Sequence, residues 1–342
     1  MEAIGQMGVR DDVLGWIGLG NMGTGMAKNI QKHLAGQGRA PLRVFNRTTS
    51  RCVAVEALGA KRVDSIAQLA QECTIIFLSS SDDAAVLSII DQIVASGDTS
   101  GKVVLDTTTI HPDTTRGIAA TLAAIGTQFV AMPVFGAAPV AEAGTLLAAF
   151  AGPPAALDRV SPFLKGVIAR EVLVVGSEPE KALLLKTTGN LLMASLMQII
   201  AEAHVFASKT GLPAETLERL LELNFGPVAY SDSVRMTSGV YCPGVGQSPW
   251  SDLELGIKDV GHGIGIAERE GVALKAGNAA YQSLNKAREW AQGEGKTGGG
   301  SGEARRLDSS GLFGVVRMES GLDFETSFVK ERDEKAKKGD SQ

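Results

Sequence analysis

The sequence is poor in cysteine and histidine, and its basic residues are outnumbered. Its three cysteines, Cys52, Cys73 and Cys242, are an odd number with no CxxC pair. That excludes a disulfide framework and points to a reducing compartment, with the cytoplasm as the default. The four histidines, His33, His111, His204 and His262, lack zinc-type spacing, so no metal site is expected. Lys and Arg total 33 against 38 Asp and Glu, and they are scattered along the chain. No basic stripe for nucleic acid or a membrane surface results, which leaves small molecules as the expected partners. The first dozen residues contain Glu2, Asp11 and Asp12 and no sustained apolar core, unlike a signal peptide. Between Ala182 and Ala201 the only charge is Lys186, yet Thr187, Thr188, Gly189, Asn190, Ser195 and Gln198 make the run too polar for a lipid-facing span. A helix buried within protein and no membrane partner are expected.

A chain of 342 residues exceeds one typical domain. Its first half alternates short β-rich runs with helical stretches, as a parallel sheet covered by helices requires. Strands are predicted near Leu14–Leu19, Leu42–Phe45, Thr74–Leu78, Val103–Asp106 and Phe129–Met132, with Thr145–Ala151 and Glu171–Val175 extending the sheet. Helices are predicted near Met22–His33, Ser50–Leu58, Asp82–Val94 and Asp113–Ile125, and from Pro154. After Gly176 helical patterns dominate: Pro179–Thr210, Ala214–Leu223 and Trp250–Gly271. The expected fold class is α/β, an N-terminal Rossmann doubly wound sheet over residues 1–176 followed by a mostly α-helical domain over 177–292. Residues 293–342 read as a glycine-rich linker, a short apolar segment and a charged end, Lys330 to Gln342, expected to be disordered.

Trp16-Ile17-Gly18-Leu19-Gly20-Asn21-Met22-Gly23 runs from an apolar strand through a glycine turn into a helix. Gly18 permits the tight turn, Gly20 lets backbone approach a pyrophosphate, and Gly23 allows close helix-to-strand packing. Leu19, Asn21 and Met22 lie within that cradle. At the end of the second predicted strand, Asn46-Arg47-Thr48 stands where an NAD-specific site places an acid. Arg47 can pair with a 2′-phosphate, and Asn46 and Thr48 can donate to it, which favours NADP(H) over NAD(H).

The run from Ile17 to Asn29, with Met26-Ala27-Lys28-Asn29 after the glycine turn, resembles the β-hydroxyacid dehydrogenase family within the 6-phosphogluconate dehydrogenase superfamily. The resemblance extends over Gly15 to Gly271. It implies cofactor contacts for Leu78, Ser79, for Thr109 in Asp106-Thr107-Thr108-Thr109, and for Lys258. It also places a substrate-binding segment at Phe135, Gly136 and Ala137, where the family holds a substrate carboxylate with a Ser and backbone amides. Here Phe135 stands in the place of that Ser, so a larger or more apolar substrate is expected.

Lys186 is the lone charge of a leucine-rich helix, and a buried lysine costs several kcal/mol unless paired or functional. Asn190 follows one turn later on the same face. Lys186-Thr187-Thr188-Gly189-Asn190 is similar to the family's K-x-x-N-N, which implies Lys186 as general acid/base and Asn190 as its partner. The implied activity is hydride transfer between NADPH and a carbonyl or hydroxy compound, of the 3-hydroxyacid dehydrogenase or semialdehyde/ketone reductase type. Two alternatives stand beside it: an imine reductase, which shares the architecture, and a non-catalytic NADP(H)-binding protein, which would lack the lysine. The long apolar helix suggests a homodimer or larger homo-oligomer.

Overall fold

A computed structural model describes residues 12–244, 246–293 and 305–339. The chain forms two compact units, Met1–Lys186 and Thr187–Gln342.

The first unit opens with β1 (Leu14–Ile17), α1 (Asn21–Gly36), β2 (Arg43–Phe45), α2 (Val53–Glu56), β3 (Lys61–Arg62) and α3 (Ile66–Glu72). Then come β4 (Ile75–Leu78), α4 (Asp83–Ala95), β5 (Val103–Asp106), α5 (Pro112–Ala124), β6 (Gln128–Ala131) and β7 (Val134–Phe135). α6 (Ala138–Glu142), β8 (Leu146–Ala151), α7 (Pro154–Val160) and β9 (Ala169–Gly176) follow. The sheet order is β3-β2-β1-β4-β5-β6-β8-β7, with β9 pairing β8. Strands β1 to β6 are mutually parallel, while β8 runs antiparallel to β6 and β7.

Successive side chains on these strands point to opposite faces. Leu14, Trp16, Ile75, Phe77, Val103 and Leu105 therefore enter one apolar cluster, and Ile17, Ile76, Leu78 and Val104 another. Both faces are covered, which is why the strands read as continuous apolar runs. Trp16 and Phe77 are register partners on β1 and β4, and their rings stack at 5.4 Å. The order turns back between β1 and β4, and in such sheets the crevice at the carboxyl ends of those strands is where ligands bind. In this unit four short elements escaped the sequence reading, β3, α3, β7 and α6. Only α3 carried a usable signal, Ser65, whose hydroxyl accepts the Gln68 N–H at 3.0 Å and caps the helix.

α8 (Pro179–Thr210) begins in the first unit, where Ala182 and Leu183 join its core, and continues into the second. By length and composition it could cross a membrane, but Ala194, Met197, Ile200, Ala201 and Val205 are committed to the core of the second unit. α9 (Ala214–Leu220) gives way to a π-turn at Leu221–Phe225, short of the predicted end at Leu223. α10 (Gly226–Thr237), α11 (Leu253–Arg269), α12 (Lys275–Gln292), α13 (Leu312–Glu319) and α14 (Ser327–Gly339) complete the unit.

The expectation of a disordered charged end is overturned for the residues of α14. Arg332 donates to the carbonyl of Cys242 at 2.7 Å, and Asp333 pairs with the buried Arg305 at 2.6 Å. Val329 is fully buried and Phe324, just before the helix, stacks on Trp290 at 3.6 Å. Charges at helical spacing here form a solvated face with an anchored underside, which composition alone does not distinguish from disorder. The predicted glycine linker lies, beyond Gly293, outside the described residues.

Candidate active site

The glycine turn is built by contacts that only glycine permits. Gly18 has φ +94°, and a Cβ there would lie 1.9 Å from the carbonyl oxygen of Ser79. A Cβ on Gly23 would lie 2.2 Å from the carbonyl oxygen of Gly18, which fixes the approach of α1 to the turn. Gly20 differs: a Cβ there would meet no protein atom within 4 Å. The space beside it is open, as a pyrophosphate cradle requires. Gly20 is also the N-cap of α1, with no side-chain cap and no acid in the first turn. The free amides of that turn, around Asn21, Met22 and Gly23, suit an anion. The residues present fit a dinucleotide.

Asn46 does more than line the adenosine side. Its Oδ1 accepts the Leu19 N–H at 2.8 Å and its Nδ2 donates to the Thr48 carbonyl at 2.8 Å, tying the turn to the end of β2. Arg47 and Thr48 beside it are exposed. On the other flank, Ser79 donates its N–H to Ile17 at 2.9 Å. Leu78 is wholly within the core and its carbonyl accepts from both the N–H and the hydroxyl of Thr107, so it meets the crevice only through backbone. The hydroxyl of Thr108 accepts the Ser80 N–H at 2.9 Å, which brings the loop of Ser79 beside that of Thr109, itself half-buried.

The substrate-segment residues and the lysine come together. The Lys186 Nζ sits 4.6 Å from the centroid of the Phe135 ring, and both side chains are half-buried. Gly136 follows at φ +132°, where a Cβ would press to 2.8 Å on Leu146, and Ala137 caps α6 without a side-chain bond. α6 is pinned to the cofactor helix. Lys28 pairs with Glu142 at 3.0 Å, Asn29 donates to the Ala141 carbonyl at 3.0 Å, and a Cβ on Gly25 would reach the Glu142 nitrogen at 2.8 Å. The sequence showed Lys28 and Asn29 only as parts of a motif; their work is to hold the Gly136 segment.

In the second unit, Asn190 donates through Nδ2 to Asp259 at 2.8 Å, and Lys258 pairs with the other oxygen of Asp259 at 2.7 Å. Asp259 is thus the organising carboxylate of this group. The sequence reading singled out Lys258 and not this carboxylate, because the link from Asp259 to Asn190 spans two helices. The three cysteines are all buried thiols. Burial pushes Cys73 and Cys242 up to about 12, far from the thiolate that nucleophilic or redox chemistry needs. Among the described residues no group of three or more His, Cys, Asp or Glu is placed to hold a metal ion.

Residues 13–176 match the family model of the NAD binding domain of 6-phosphogluconate dehydrogenase. The NADH-dependent oxidoreductase ucdB of Aspergillus ustus is 30% identical over 89% of this chain and 99% of its own length. Glyoxylate/succinic semialdehyde reductase 1 of Arabidopsis thaliana is 27% identical over 82% of this chain and 94% of its own. The solved structure of Psf3 in complex with NADP+ and 2-OPP superposes with a TM-score of 0.73 at 25% identity, covering 89% of this chain and 100% of that one. A glycine turn shaped for a dinucleotide and relatives matched along nearly their whole length agree. The chain belongs to the β-hydroxyacid dehydrogenase family, the 3-hydroxyisobutyrate dehydrogenase-like branch of the 6-phosphogluconate dehydrogenase superfamily, and is an NAD(P)-dependent oxidoreductase acting on CH–OH groups.

Proposed function

We propose that the protein reduces a carbonyl compound with NADPH, and in the reverse direction oxidises the corresponding hydroxy compound. The observation that carries this reading is the placement of the Lys186 ammonium over the ring of Phe135, the first residue of the expected substrate segment, in the same unit as the glycine turn. A dinucleotide held by its pyrophosphate at that turn would supply the hydride from its nicotinamide. Lys186 protonates the carbonyl oxygen as charge develops on it, and accepts the hydroxyl proton in the reverse reaction. The resemblance gives Asn190, one turn along the same helix, as the partner of Lys186.

NADP(H) over NAD(H) rests on this chain's own residues, since one relative is described as NADH-dependent and one neighbour was solved with NADP+. Arg47 is exposed, has no ion-pair partner among the described residues and has no acid beside it at the end of β2. A guanidinium so placed suits a 2′-phosphate. Buried thiols fit a cytoplasmic protein.

The test is a panel of aldehydes and ketones with NADPH and NADH side by side. Lys186→Ala should keep its NADPH affinity and lose about 10²- to 10⁴-fold in turnover, and unchanged turnover would sink the mechanism. Arg47→Ala should weaken NADPH about 10- to 100-fold and NADH little. An unmoved NADPH/NADH ratio removes the cofactor preference.

We also infer a homo-oligomer. Leu192, Ile199 and Phe206 recur every seventh residue on α8 and are 68%, 56% and 69% exposed, an apolar stripe that a second copy would cover. Ile199→Asp should reduce the solution mass of the assembly. A monomeric native protein in light scattering rules the idea out.

A further inference from the structure

Residues 134–141, Val-Phe-Gly-Ala-Ala-Pro-Val-Ala, contain no hydroxyl and no charge. The resemblance places a Ser at the position of Phe135. Instead the ring ends β7 at the margin of the sheet core, half-buried, and its face carries the Lys186 ammonium at 4.6 Å. That separation lies within cation–π range, where the ring quadrupole attracts a cation and repels an anion. Gly136 has no room for a side chain, and Val140 and Leu146 crowd its Cβ position at 3.0 and 2.8 Å. The segment that begins with this ring is therefore aromatic and aliphatic.

We propose that Phe135 determines substrate specificity: its ring seats Lys186 and walls the adjoining space with apolar surface, selecting carbonyl compounds whose neighbouring substituent is an uncharged alkyl or aryl group over those bearing a carboxylate there. This rests on the carbonyl-reduction reading above and on Lys186 as its proton donor. A carboxylate laid along this flank meets the negative face of the ring and competes with the carbonyl for the ammonium. An alkyl or aryl group leaves the ammonium to the carbonyl oxygen and gains the apolar contact.

The experiment is steady-state kinetics with NADPH on matched pairs of aldehydes and ketones, one member ending in an alkyl or phenyl group and the other in a carboxylate. The native enzyme should favour the uncharged member in kcat/KM by about 10-fold or more, a ratio typical of one well-made pocket contact. Phe135→Ser should narrow or reverse that preference by about 10-fold, chiefly through KM. Phe135→Leu keeps the apolar wall and so the preference, but loses kcat because the ammonium is no longer seated. Phe135→Tyr should recover the kcat lost in Phe135→Leu. Thermal melts with and without NADPH establish that each variant is folded, and Phe135→Leu against Phe135→Tyr decides the seating role should Phe135→Ser not fold. A native preference for the carboxylate member, or a ratio unmoved in folded Phe135→Ser, overturns this proposal alone. A native enzyme that binds NADPH and reduces neither member overturns the carbonyl-reduction reading and this proposal with it.

Discussion

The side-chain oxygen of Asn46 accepts the backbone N–H of Leu19 at 2.8 Å, so the end of β2 fastens the glycine turn from the side. The residue expected to contact the cofactor is also the one that shapes its cradle.

Asn46→Ala removes this bond and the one to Thr48, each worth about 1 kcal/mol net. NADPH and NADH affinities should both fall by about 5- to 10-fold. Asn46→Asp keeps an acceptor for Leu19 but sets a negative charge beside Arg47, so it should penalise NADPH more than NADH. Fluorescence titration with both cofactors measures this, and equal losses in Asn46→Asp would count against an Arg47–phosphate contact.

Gly20 and Gly23 should fail differently when replaced by Ala. The Gly23 Cβ strikes backbone at 2.2 Å, so α1 must shift and the melting temperature should drop, consistent with about 1–3 kcal/mol of overpacking. The Gly20 Cβ meets no protein atom within 4 Å, so Gly20→Ala should melt within a degree or two of the native protein yet bind dinucleotide at least about 10-fold more weakly. Native-like affinity in Gly20→Ala would show that the open space serves something else.

Asp259→Ala leaves the Asn190 amide and the Lys258 ammonium without their shared acceptor. We expect a stability loss of about 1–3 kcal/mol and a fall in kcat of about 10-fold, because the Asn190 amide becomes free to rotate. Asp259→Asn, which retains one acceptor, should recover part of both. Chemical denaturation together with kcat for the two variants reads this out, and a stability loss with kcat untouched would confine Asp259 to a packing role.

Asp232 is buried in the second unit with its Oδ2 unpartnered among the described residues. Burial is the main cause that pushes its carboxyl up to about 6; the nearby Asp308 raises it further and Arg235 opposes. The folded state thus holds this proton between about pH 4 and about pH 6 while the unfolded chain has released it. The contribution is stabilising below the unfolded value and is lost as pH rises through about 6, the loss amounting to about 3 kcal/mol at most near neutrality. Asp232→Asn should be more stable than the native protein at neutral pH, with the gap closing on acidification to about pH 4. Denaturation curves showing a gap that does not change with pH would disprove the assignment.

The sheet was legible because strands buried on both faces leave unbroken apolar runs, as at Ile75–Leu78 and over residues 103–105. The long helix Pro179–Thr210 was legible to the residue, bounded by Gly211 and Pro213. Two-residue strands such as Val134–Phe135 are too short for any period to register, and α14 looked like a solvated tail because its anchors, Arg305 and Val329, mean nothing until they are buried.

By itself the sequence determined the chemistry available: a glycine turn, an arginine where an acid would exclude a 2′-phosphate, a lone lysine in an apolar helix, and an aromatic ring in place of a hydroxyl. Glycines and misplaced charges are legible in one dimension because their cost is local. Only the tertiary structure decided the pairings. It set Phe135 against Lys186, Asn46 under Leu19, and Asp259 between Asn190 and Lys258, since such contacts join residues that are distant in the chain and are fixed by how sheet and helices pack.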